Sequence, residues 1–129
     1  MNPAKISLSV MTLSLLTAVA HSQYIKGQRV RMTPEDSARA EVEWMKDDLK
    51  LKEATLNKVY DIVLKYAKQS ADERQKLIPE GNRDLAWAKA TEIMAARDKE
   101  LKSLLGERTF KRFKNIENER KLAMQERQN

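Results

Sequence analysis

The chain has no cysteine, and its single histidine, His21, lies close to the N-terminus. A transition-metal site would therefore lack thiolate ligands and nearly all imidazole ones. No disulfide can reinforce a small core, and a Ser–His–Asp set has no second histidine to draw on. Three single glycines cannot form a phosphate-cradling loop. Gly and Pro number three each, which disfavours the turn-rich layout of an all-β domain. The longest apolar run, Ile6 to Ala20, falls short of the roughly 20 residues that a membrane-spanning helix needs. Carboxylates pair at Asp47/Asp48, Asp72/Glu73 and Glu117/Glu119, but the sequence gives none of them the apolar surround and fixed partner that would poise a catalytic acid or base. These absences argue against an enzyme and against any catalytic, cofactor-binding or metal-ligating residue.

What is present begins with a leader. Met1 to Lys5 is short and weakly basic, Ile6 to Ala20 is apolar, and small residues follow, with Ala18-Val19-Ala20 or Ala20-His21-Ser22 before the cut. This pattern predicts a secretory signal peptide over residues 1–22, an irregular basic lead-in over 23–32, and one all-α domain over 33–127. The product is expected to be exported and soluble, with no stable membrane insertion after cleavage. Loss of Lys5 takes the formal charge from +6 to +5. For an exported chain, such charge suits acidic protein surfaces, anionic lipid or envelope polymers better than nucleic acid.

Charged residues make up 34% of the chain, and their spacing is helical. Thr33-Pro34-Glu35-Asp36 predicts a helix start, with a capping hydroxyl, a proline at the first helical position and acids facing the dipole. Ala38, Val42, Met45 and Leu49 form its apolar stripe, with Trp44 beside it. A second helix from about Lys52 carries Leu56, Val59, Tyr60, Val63, Tyr66 and Ala67, and Ser70-Ala-Asp-Glu73 offers a place for it to break and restart. Pro79-Glu80-Gly81-Asn82 predicts the main turn. Asn82 is then expected to cap a third helix with Leu85, Ala86, Trp87, Ala90, Ile93, Met94, Leu101 and Leu104. Gly106 ends that helix or opens the fourth, whose apolar positions are Phe110, Phe113, Ile116 and Met124. Glu35/Arg39, Asp61/Lys65, Asp98/Lys102, Glu107/Lys111 and Glu117/Lys121 are acid-before-base pairs at i, i+4, each worth about 0.2–0.5 kcal/mol.

Leu51-Lys-Glu-Ala-Thr55-Leu56-Asn-Lys-Val59 returns as Leu105-Gly-Glu-Arg-Thr109-Phe110-Lys-Arg-Phe113, each copy behind a charged run ending in leucines. The chain thus reads as a duplicated helix–turn–helix. Exported, all-α and cysteine-free, with a doubled leucine-led motif at Leu51/Thr55 and Leu105/Thr109, it resembles the Spy/CpxP family, whose motif is L-T-x-x-Q twice. Thr of that motif is Lys52 and Gly106 here, and Gln is Thr55 and Thr109. The resemblance covers residues 35 to 120. It implies a periplasmic protein of two helical hairpins forming a curved antiparallel homodimer. Some members hold clients without ATP and others repress an envelope-stress sensor kinase. A metal-binding branch uses histidines that this chain lacks.

Phe110-Lys111-Arg112-Phe113-Lys114 interleaves aromatic and basic residues, which suits a surface that accepts apolar or unfolded segments; core phenylalanines with outward bases fit the same spacing. The client-binding residues expected on chemical grounds are Trp44, Arg97, Phe110, Arg112 and Phe113. The leading expectation is an ATP-independent, chaperone-like envelope protein binding unfolded or partly folded clients, with no cofactor. The alternative is a regulatory adaptor docking on the periplasmic domain of a sensor protein.

Overall fold

The computed structural model describes residues 32–128. The expected signal peptide and the lead-in before Met32 lie outside the described residues. Within them the chain is all-helical: α1 (Pro34–Leu49), α2 (Glu53–Leu77), α3 (Arg83–Leu105) and α4 (Glu107–Glu126), with no strand. None of these helices is long and apolar enough to cross a membrane.

The boundaries follow from local chemistry. Thr33 accepts a hydrogen bond from the Asp36 N–H at 3.1 Å and donates its hydroxyl to the Asp36 carboxylate at 2.8 Å, while Pro34 takes the first helical position. At its other end α1 closes on Lys50, whose φ of 51° is left-handed. A residue with a Cβ holds that conformation at a cost of about 1–2 kcal/mol. Gly106 resolves the either-or of the sequence by doing both jobs, ending α3 and preceding α4 with φ 80° and ψ 163°.

Two local expectations are corrected. Ser70–Glu73 does not break α2, which runs on to Leu77. A serine hydroxyl caps only where backbone N–H groups are unpaired, and a continuing helix has already used them. Asn82 precedes α3 but makes no side-chain cap; its amide donates to Glu80 instead, at 3.4 Å.

Packing follows the stripes. α2 lies against both α1 and α3, and α4 against α3 and α1. α2 returns along α1, so that Glu35 at the start of α1 meets Lys68 at 3.4 Å. α3 returns along α2, where Lys65 meets Glu100 at 2.6 Å. Ala38, Met45, Leu49, Val59, Val63, Leu101 and Phe113 form one core cluster, bordered by Val42, Trp44, Leu51, Leu104, Leu105, Phe110 and Ile116. The duplicated segments occupy equivalent places: Val59 and Phe113, at the same motif position, are both fully buried. Their second positions diverge, since Lys52 is extended while Gly106 has positive φ.

Among the five i, i+4 pairs, Glu117–Lys121 forms, at 3.4 Å. In the others one partner takes a different neighbour: Glu35 joins Lys68, Lys65 joins Glu100, Lys102 joins Glu107, and Asp98 joins Arg97 and Lys114. Contacts between elements thus displace pairs that would be worth only a few tenths of a kcal/mol within a helix.

Candidate binding cleft between α3 and α4

Four of the five residues expected to bind clients come together, but mostly as structure. Trp44 of α1 stacks on Phe113 of α4, with ring centroids 5.6 Å apart and planes 4° from parallel. Phe110 tilts against Phe113 at 5.8 Å, and the Arg97 guanidinium lies 5.6 Å over the Phe113 ring. Phe113 is fully buried, and Arg97 is 4% exposed. For these two the expectation of a client-facing position is corrected: they fasten α4 to α1 and α3. Trp44 and Phe110 are half-buried around them, and Arg112 is exposed on the outer side of α4. The motif residues Leu51, Thr55, Leu105 and Thr109 are half-buried at the helix junctions.

Arg97 is at the centre of a polar cluster joining three helices. Its guanidinium donates to Glu41 of α1 at 2.9 Å, to Glu117 of α4 at 2.7 Å and to its neighbour Asp98 at 2.8 Å. Lys114 donates to Asp98 at 2.8 Å and to Glu117 at 2.7 Å. Every buried side-chain nitrogen and oxygen among the described residues has a partner, which is the condition for a buried charge network to be tolerated. Burial alone would raise the Glu117 carboxyl. The Lys114 hydrogen bond and the charge of Arg97 outweigh that effect and hold it down at about 2. Glu41 goes the other way: desolvation raises it, and the pull of Arg97 does not fully compensate, with Glu117 and Asp98 adding like charge.

Beyond this cluster α4 parts from the body of the domain. Every described residue from Asn118 onward is exposed. The facing half of α3 is left uncovered, and a cleft of about 460 Å³ opens between the two helices. Trp87, Ala90, Thr91, Met94 and Ala95 line its α3 wall, and Asp98, Lys114, Glu117 and Lys121 close its inner end. Trp87 is 78% exposed. Met124, itself 60% exposed, lies three residues beyond Lys121 on the same face of α4.

Trp87 thus departs from the expected apolar face of α3. The reason is local: Leu85, Ala86, Trp87, Ala88 and Ala90 are apolar almost all the way round the helix, so periodicity selects no single face. Ala86 turns inward and is buried, leaving Trp87 about 100° away from it. The sequence signal for this surface is composition: a bulky indole in an alanine-rich turn that has little to pack it.

The described residues hold no group of three or more His, Cys, Asp or Glu side chains placed to bind a metal ion. No family model matches the chain, no curated protein matches it, and no solved structure matches it.

Proposed function

We propose that this protein is an exported, ATP-independent chaperone-like protein of the Spy/CpxP type, which holds unfolded or partly folded envelope proteins on an apolar and basic helical surface. Trp87 carries the reading. An indole left 78% exposed beside an apolar cleft is costly to keep in water; covering apolar surface returns about 25 cal/mol per Å², and aromatic anchors dominate binding surfaces. α4 adds six basic residues against four acidic ones, so it attracts segments of opposite charge. The described core is thin, with ten buried apolar residues, which leaves apolar surface available for partners.

The mechanism needs no nucleotide. Charge on α4 steers the encounter, Trp87 and the methionines make adaptable apolar contact, and the client leaves as it buries its own apolar surface. In this proposal the four helices form two hairpins and two copies associate as a curved antiparallel homodimer in the periplasm. The test is light scattering from an aggregating unfolded client, without ATP, at stoichiometric chain. Suppression that weakens at high salt is expected, and no suppression across several clients would refute the proposal. Recovery of one tight stoichiometric membrane partner from an envelope extract would favour the regulatory adaptor instead.

A further inference from the structure

We infer that the α3–α4 cleft recognises a defined kind of segment: an amphipathic α-helix, apolar on the inserted face, with a carboxylate placed to meet Lys121. This inference rests on the chaperone-like reading and narrows its partner class.

Backbone chemistry selects the helix. Both walls of the cleft are helices, whose backbone groups are already paired internally. An extended segment entering an apolar cleft would find no edge to pair with and would bury its own N–H and C=O groups unpaired. A helical segment arrives with those bonds already made. The wall also has helical spacing: Trp87, Thr91, Met94 and Asp98 fall at i, i+4, i+7 and i+11 over about 16 Å of helix. Between the large side chains, Ala90, Thr91 and Ala95 keep the floor low, so a second helix can approach closely.

The inner end of the cleft selects the charge. One Asp98 carboxylate oxygen accepts from Arg97 and the other from Lys114. One Glu117 oxygen accepts from Arg97, and the other from Lys114 and Lys121. Each acceptor oxygen there is engaged. The Lys121 ammonium, by contrast, is largely exposed and makes a single contact, at 3.4 Å. An incoming carboxylate finds a donor with spare protons, while an incoming ammonium meets carboxylates whose charge is already shared by Arg97, Lys114 and Lys121.

The test is a fluorescence titration of the full chain, with Trp87→Phe as the control that assigns the signal. The probes are three synthetic peptides: a helical one with leucines at i, i+4 and i+7 and a flanking glutamate, a twin with lysine for that glutamate, and a twin broken by a central proline. The glutamate peptide is expected to shift the Trp87 emission to the blue and to bind roughly fivefold more tightly than the lysine twin. Lys121→Glu, a change at an exposed position, is expected to invert that order, and Trp87→Ala, read instead by the anisotropy of a dye-labelled glutamate peptide, to weaken binding roughly tenfold or more. Equal affinity for both charges, or no inversion in Lys121→Glu, would overturn the assignment of Lys121. Equal binding of the proline-broken peptide would overturn the helical partner. No binding of the glutamate peptide would also overturn the inference. Aggregation suppression that survives such results would leave the chaperone-like reading standing, whereas peptide binding without suppression would remove that reading and keep this one.

Discussion

Replacing Arg97 by methionine probes the junction on which the cleft depends. Methionine preserves much of the side-chain volume but leaves Glu41, Asp98 and Glu117 without their shared cation. Breaking a buried ion pair from one side typically costs about 3–5 kcal/mol. Lys114 still holds Asp98 and Glu117, so the lower end of that range applies. Linkage gives a similar scale. Glu117 falls from its ordinary 4.5 to about 2, which corresponds to about 3 kcal/mol of folded-state stabilisation from Arg97 and Lys114 together. Because the folded value is depressed, that stabilisation is fully present above about pH 4.5 and is lost as the pH falls toward 2. Urea unfolding followed by fluorescence should therefore show Arg97→Met about 3 kcal/mol less stable than wild type at pH 7, with the gap narrowing as the pH falls below 4.5. Removing Glu117 as well, in Arg97→Met/Glu117→Leu, should cost clearly less than the sum of the single changes. A loss below about 0.5 kcal/mol at pH 7, or strict additivity in the double variant, would refute the view that this cluster holds α4 in place.

Other outcomes follow from the same geometry. Phe113→Ala removes a fully buried ring at the junction of α1, α3 and α4 and should cost about 3–5 kcal/mol in chemical denaturation, with half-buried Phe110→Ala costing less. Gly106→Ala meets no atom within 4 Å, yet φ 80° with ψ 163° is a backbone region left almost entirely to glycine; a loss of about 1–3 kcal/mol is expected by thermal unfolding. Lys50→Gly should do the reverse and raise stability by about 1 kcal/mol, because it relieves a left-handed residue with a Cβ. Trp87→Ala should leave stability within about 0.5 kcal/mol of wild type in the same unfolding assay, since the indole is mostly in water.

Most of the fold was legible because its signals are local. The Thr33–Pro34 start, the Ala38/Val42/Met45/Leu49 stripe, the turn before α3 and the glycine between α3 and α4 each depend on neighbours within a turn or two. The Arg97 cluster was not legible in this way. Its partners lie 56 and 20 residues away, at Glu41 and Glu117, and nothing in a helical period says which of many charged side chains will be taken inside. Glu117 was visible as part of a carboxylate pair and as the acid before Lys121, but its burial depends on where α4 docks. The cleft was half legible. Trp87 was visible as an apolar residue of the third helix but not as an exposed one, and the parting of α4 from α3 beyond Glu117 is a tertiary fact.

The phenylalanines show the same division. Spacing allowed Phe110 and Phe113 to be either a binding surface or core, and packing decided it: the stack of Trp44 on Phe113 uses both rings to join α1 to α4. The bases between and beside them then divide by position. Lys111 and Arg112 are exposed, while Lys114 turns inward to Asp98 and Glu117. The large exposed aromatic ring is therefore Trp87 on α3 and not a phenylalanine of α4.

Client protection by the full chain and by its Trp87→Ala variant, compared side by side by light scattering without ATP, is the most direct measurement. The wild-type chain is expected to suppress aggregation at stoichiometric ratio, and the equally stable variant to lose most of that effect. Equal suppression by the two chains, or none by either, would contradict a client-holding role for the α3–α4 cleft.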